Sequence, residues 1–189
     1  MRAALVLAGG RGRRLGGVDK ALIEVAGVTM LDRVLAAARP HCDDIVVVGP
    51  TRATSIDRVQ FTIEPDPGGG PVPAVGAGLA VLPGGTDQAL LLAVDLPLLR
   101  PDHVAALFSE LPGADAVAAV DDRGRPNPIL AAYRADVLRA TIKGLGPGVA
   151  AAQLLPPATV VVDLGEAGTL NVNSPHDLAR ARRLARPAP

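Results

Sequence analysis

Short aliphatic runs recur along the chain, and the stretches between them place apolar residues three and four positions apart. The runs are Ala3 to Leu7, Ile45 to Val48, a weaker one from Val59 to Ile63, then Ala89 to Val94, Ala116 to Val120, Ile129 to Tyr133 and Val160 to Leu164. Continuous aliphatic runs of this length predict strands buried on both faces, as in a parallel sheet. Between them, Thr29-Met-Leu-Asp32 reads as a capping box that opens a helix with Leu31, Val34 and Leu35 facing inward. Pro101 suits the first position of a helix whose Val104, Leu107, Phe108 and Leu111 share one face. Ser174-Pro175-His176-Asp177 combines an N-cap, a proline at N1 and a capping carboxylate. Alternating strands and helices predict an α/β domain with a mainly parallel sheet. The Asp121-Asp-Arg-Gly-Arg125 stretch reads as a hairpin turn, which adds an antiparallel element. Residues 64–73 and 143–148 are rich in Gly and Pro and read as loops, so residues 1–189 form one domain, with 186–189 as a frayed tail.

Composition narrows the function. The 19 basic and 19 acidic residues balance, whereas a general nucleic-acid binder carries a basic excess. Aromatics are limited to Phe61, Phe108 and Tyr133, too few for a base-stacking platform. The lone Cys42 rules out an intramolecular disulfide and a cysteine-rich zinc site, and reads as a small apolar residue beside a strand. No signal peptide and no bilayer-spanning run is evident, so the expected location is the cytoplasm.

The chemistry concentrates after the first run, in Leu5-Val-Leu-Ala-Gly-Gly-Arg-Gly-Arg-Arg-Leu-Gly-Gly-Val-Asp-Lys20. In such sheets ligands sit beyond the carboxyl ends of the strands. Glycines let a backbone approach an anion closely, and successive N–H groups form a concavity that binds one. Arg11, Arg13, Arg14 and Lys20 add positive charge. A dinucleotide fingerprint fails because Leu15 stands where a third glycine is needed. A P-loop fails because Val18-Asp19 separates Gly17 from Lys20 and Ala21 follows. A solvated glycine turn with surface arginines is the plainer alternative.

Asp95 follows an aliphatic run and so belongs at a strand's carboxyl end, where a hard carboxylate suits Mg²⁺. Its plainer alternative is a helix cap or loop carboxylate. Arg125 and Asn127 lie on the hairpin and are either acceptor contacts or turn residues. The C-terminal Arg180, Arg182, Arg183 and Arg186 suit a helix C-terminus without any partner.

The loop from Leu7 to Lys20 resembles the signature of the nucleotidyltransferases that include molybdenum cofactor guanylyltransferase, the MobA family. Gly12 stands for the family's serine and Leu15 for its methionine. Three later segments agree in order: Glu64-Pro-Asp-Pro-Gly-Gly-Gly-Pro71 with the helix after it, Leu90 to Leu99 with its Asp-x-Pro, and Asn171-Val-Asn-Ser-Pro-His-Asp-Leu178. The usual Glu-Asp order is interrupted here by Pro65.

This resemblance implies a Rossmann-like three-layer nucleotidyltransferase fold, with a mainly parallel but mixed sheet and helices on both faces. It implies Mg²⁺-dependent transfer of GMP from GTP to the phosphate of molybdopterin, with release of pyrophosphate. By the same resemblance Arg14, Lys20 and Asp95 are catalytic. Leu7, Ala8, Gly9, Gly10, Lys20, Asp66, Gly70, Pro71 and Asp95 surround the nucleotide. Asp95 and Asn173 hold the metal, with Asn171 in support. Implied partners are the two substrates and, transiently, proteins that deliver or insert the cofactor; no nucleic acid or membrane is expected. Since the nucleophile is already a phosphate anion, such catalysis needs positioning and charge stabilisation rather than a base. Transfer of another base, or to a sugar phosphate or small phosphorylated acid, is an alternative within the class. A nucleotide-binding scaffold without turnover is an alternative outside it, against which Lys20, Asp95 and Asn173 argue.

Overall fold

The aliphatic runs lie side by side in one seven-stranded sheet. In the computed structural model, which describes residues 1–10, 15–65, 68–121 and 123–185, the chain begins with β1 (Arg2–Leu7). A small antiparallel pair follows, β2 (Glu24–Val25) and β3 (Val28–Thr29), leading into α1 (Met30–Ala38). Next come β4 (Asp44–Val48), β5 (Val59–Thr62), α2 (Pro71–Val81), β6 (Gln88–Ala93) and α3 (Pro101–Ser109). The chain continues through β7 (Ala116–Val120), β8 (Pro126–Arg134), α4 (Ala135–Lys143), β9 (Thr159–Val162), α5 (Gly165–Thr169) and α6 (Pro175–Leu184). The strand order is β5-β4-β1-β6-β8-β7-β9. β8 pairs antiparallel with both of its neighbours, and every other pairing in the sheet is parallel.

The expected mixed sheet with helices on both faces is therefore present, and burial on two sides explains the aliphatic runs of the inner strands. The runs at Val59 to Ile63 and Val160 to Leu164 depart from that expectation, because β5 and β9 are edge strands and leave Ile63, Val160 and Val161 exposed. Along β1, Ala4 and Val6 face one core, shared with Leu31, Val34 and Leu35 of α1 and Val104, Leu107 and Phe108 of α3. Ala3 and Leu5 face the opposite core, shared with Val72, Val75 and Leu79 of α2 and Leu138 of α4. A third, smaller cluster joins Val25, Met30 and Leu98 to Val172, which precedes α6, and to Ala181 within it.

Local signals act largely as their chemistry dictates. The Thr29 hydroxyl accepts from the Asp32 N–H and caps α1. The second half of the expected box does not form, because the Asp32 carboxylate instead accepts from the Thr54 and Ser55 hydroxyls. The Ser174 hydroxyl caps α6 as expected. In the hairpin, Asp121 Oδ1 accepts the N–H groups of Arg123 and Arg125. The loop expected over 64–73 is shorter than its composition suggested, because α2 starts at Pro71. Prolines at 71 and 73 sit in the first turn, where N–H groups have no helical partner to lose. Cys42 is buried as expected, and burial pushes its thiol up to about 12. Arg11, Arg13, Arg14, Asp66 and the tail at 186–189 lie outside the described residues.

Candidate nucleotide site

The carboxyl ends of β1, β4 and β6 open onto a cleft of about 1380 Å³. Its floor is Leu7, Gly9 and Gly10 from the end of β1. One wall is Gly49, Pro50 and Thr51, which follow β4, and another is Glu64, Gly68, Gly70 and Pro71 before and at the start of α2. Lys20, Asp95, Asn171 and Asn173 close it, with Asn127 and Ile129 from β8 at its margin. Asn127 reaches the cleft because β8 runs antiparallel to β6 and starts where β6 ends.

Backbone contacts fix this geometry. Leu7 and Val94 continue the β1–β6 pairing by one bond beyond the strand, from the Val94 N–H to the Leu7 carbonyl at 3.0 Å. Asp95 thus stands beside the glycine loop. The Val172 N–H donates to the Asp95 carbonyl at 2.8 Å, so the Asn171–Asn173 segment is tied to the same turn. Gly49 has a positive φ of 153°, and a Cβ there would come within 2.9 Å of the Ala8 carbonyl carbon and oxygen. Only glycine lets the wall lie that close to the floor.

Three polar side chains converge. Lys20 Nζ donates to Asp95 Oδ2 at 3.2 Å and to Asn173 Oδ1 at 2.6 Å. The Lys20 and Asp95 side chains are only 13% and 19% exposed. Burial pushes the Asp95 carboxyl above the usual carboxylate range, and the Lys20 ammonium draws it part of the way back. Lys20 is held by a short helical turn over Lys20–Leu22, capped by the Asp19 carboxylate and seated by the fully buried Ala21. Asp95 and Asn173 thus present two hard oxygens to one cation, the lysine's own. That donor set fits Mg²⁺, which takes one or two protein oxygens together with phosphates and water. Among the described residues no group of three or more His, Cys, Asp or Glu could hold a metal ion.

Other residues singled out in the sequence are placed as follows. Ala8 is 2% exposed; its N–H donates to the Val48 carbonyl and its carbonyl accepts from Arg52, so it supports the floor without lining it. Asn127 Oδ1 accepts from the Ile129 N–H. Arg125 pairs with Asp121 at 2.8 Å. In the C-terminal run, Arg180 pairs with Glu166 and Arg182 donates to the Glu24 carbonyl. The α2 N-terminus aims its positive end at the cleft, but prolines at 71 and 73 leave it few N–H donors. Sequence reasoning missed Arg52, whose guanidinium joins Asp19, Ala8 and Pro50. It also missed Gly49 to Thr51 as a wall. The rule that directed attention past β1 and β6 applies equally past β4 and would have found both.

A family model described as the MobA-like NTP transferase domain matches residues 4–155. The chain belongs to the MobA-like NTP transferase family. A molybdenum cofactor guanylyltransferase from Acidiphilium cryptum is 36% identical over 152 residues, covering 76% of this chain and 74% of that one. Other relatives of the same name are matched over about two thirds of their length. Among solved structures, molybdopterin-guanine dinucleotide biosynthesis protein A from Archaeoglobus fulgidus superposes with a TM-score of 0.69 at 24% identity, over 97% of this chain and 98% of that one. The 2-C-methyl-D-erythritol 4-phosphate cytidylyltransferase from Thermus thermophilus does so with 0.71 at 22%, over 99% and 100%. These two share the fold of this chain. No helix among the described residues is long and apolar enough to cross a membrane.

Proposed function

We propose that this member of the MobA-like family transfers GMP from GTP to the phosphate of molybdopterin and releases pyrophosphate. The observation that carries nucleotidyl transfer is the convergence of Lys20, Asp95 and Asn173 at the mouth of the cleft. Guanine is favoured by the Leu7-Ala8-Gly9-Gly10 form of the loop and by the relatives named molybdenum cofactor guanylyltransferase.

The triphosphate would lie across Gly9 and Gly10 toward Lys20, with the base between the Gly49–Thr51 wall and the Gly68–Pro71 wall. Lys20 would release the two oxygens it now bridges and donate to the phosphates. By the family resemblance Arg14 would join Lys20 in binding the phosphates and Asp66 would contact the nucleotide. Asp95 and Asn173 would hold Mg²⁺, which supplies neutralisation of charge on the triphosphate and on the departing pyrophosphate. Asn127 stands at the open margin, where the acceptor would enter. The acceptor oxygen already carries negative charge, so the chain's own contribution is alignment and charge stabilisation.

Thermal melts test the choice of base. A pocket of backbone groups shaped for guanine leaves some of them unpaired by a pyrimidine, at roughly 1–3 kcal/mol each. Ligand at about 100 times its dissociation constant adds about 2.7 kcal/mol, which for a domain of this size raises the Tm by roughly 5–11 °C. GTP with Mg²⁺ is expected to give that shift and CTP at equal concentration much less. A CTP shift that equals or exceeds it would replace guanylyl by cytidylyl transfer.

A further inference from the structure

We propose that Arg52 is the positioning residue of this site: through Asp19 it locks the turn that carries Lys20 against the wall that follows β4. The role given to Lys20 rests on the function proposed above.

The Arg52 side chain is 7% exposed, and its guanidinium grips Asp19 with two prongs. Nε donates to Asp19 Oδ2 at 2.7 Å and Nη2 to Asp19 Oδ1 at 3.0 Å. Nη2 also donates to the Ala8 carbonyl at 3.1 Å, and Nη1 to the Pro50 carbonyl at 2.9 Å. One planar group therefore fastens three segments that are distant in sequence: the end of β1, the end of the glycine loop and the connection after β4. Asp19 passes the constraint on. Its Oδ1 also accepts from the Ala21 N–H at 3.1 Å and caps the turn that begins at Lys20.

Two other roles fit less well. As a direct phosphate ligand, Arg52 would have to give up contacts that already engage all three of its nitrogens. As a diffuse source of positive field, it would not need the fork, and a lysine would serve equally. The fork matters because a misplacement of about 1 Å in a charge-stabilising group costs about 10²-fold in rate.

The test compares Arg52→Ala, Arg52→Lys, Asp19→Asn and the Arg52→Ala/Asp19→Asn double variant with wild type. It uses the nucleotide that wild type turns over with Mg²⁺ and molybdopterin. Positioning predicts that kcat/KM falls about 10²-fold in Arg52→Ala. It predicts an intermediate loss in Arg52→Lys, and a double variant no worse than the worse single one. It also predicts a loss in Asp19→Asn, although that change removes negative charge beside a polyanion site. Hydrogen exchange without nucleotide is expected to quicken at residues 19–23 in Arg52→Ala while β1 and β6 stay protected. An Arg52→Lys variant equal to wild type, an Asp19→Asn variant that improves, or losses that multiply in the double variant would overturn the proposal. So would unchanged exchange at residues 19–23. Wild type inactive with all four nucleotides would instead defeat the proposed function, and the exchange measurement would still decide whether Arg52 locks the turn.

Discussion

At Asp95 the structure holds a carboxylate where solvation is poor and a single ammonium compensates in part. Burial raises its pKa and Lys20 lowers it, with burial the larger influence. A raised folded-state pKa means that stability is fullest below the unfolded carboxylate value and is lost as pH rises through the folded value. Asp95→Asn removes that loss. Without nucleotide or metal, the variant's Tm is expected to match wild type near about pH 4 and to exceed it at neutral pH. Its pyrophosphate release is expected to fall by at least about 10². A variant that melts below wild type at neutral pH would mean that the contact with Lys20 outweighs burial. Asp95 was legible in the sequence because an aliphatic run ends beside it, and Lys20 and Asn173 because motifs carry them. Arg52 was not, since its partner lies 33 residues upstream and only the packing of two loops brings them together. Asn127 was legible as a turn residue; its place at the cleft follows from the antiparallel pairing of β8.

At the scale of elements, strands were easier to read than helices. Each strand of the seven-stranded sheet overlaps a run seen in the sequence. Burial on both faces leaves a run that needs no periodicity in the inner strands, whereas the edge strands β5 and β9 keep theirs although Val160 and Val161 are exposed. α2 is the opposite case. Its Pro71 to Val81 sequence is apolar on every side and holds two internal glycines, so it shows no amphipathic stripe, and its start reads as loop. α4 has a clear stripe and the same nine-residue length as α1 and α3, but neither a capping side chain nor a proline marks its start. The glycines of α2 do different things. A Cβ at Gly78 would meet Leu5 Cδ2 at 2.9 Å and Val48 Cγ2 at 3.0 Å, so this glycine lets the helix lie close on β1 and β4. At Gly76 a Cβ would meet nothing within 4 Å. Gly78→Leu overpacks that contact, at about 1–3 kcal/mol, and is expected to lower the Tm by roughly 2–12 °C. Gly76→Ala is expected to raise stability by up to about 1 kcal/mol through helix propensity. Denaturant melts of the pair check both signs. A Gly78→Leu variant as stable as wild type would show that α2 can lift from the sheet without loss.

At the scale of the molecule, the sheet's asymmetry builds the site. The parallel half, β5-β4-β1-β6, gathers strand ends into a cleft, and the antiparallel β8 starts at the same end and supplies its open margin. With 19 basic and 19 acidic residues the chain has no net charge to draw a polyanion, and the sequence concentrates Arg11, Arg13, Arg14 and Lys20 in one short stretch that can supply the attraction locally. That arrangement suits nucleotidyl transfer, and the function proposed above adds GTP and a phosphorylated acceptor. The most direct test measures pyrophosphate release by the purified chain with Mg²⁺ and each of the four nucleoside triphosphates, with and without molybdopterin. The account predicts release with GTP that requires molybdopterin and little release with the other three nucleotides. Release that ignores molybdopterin, or that proceeds as well with CTP as with GTP, would contradict it.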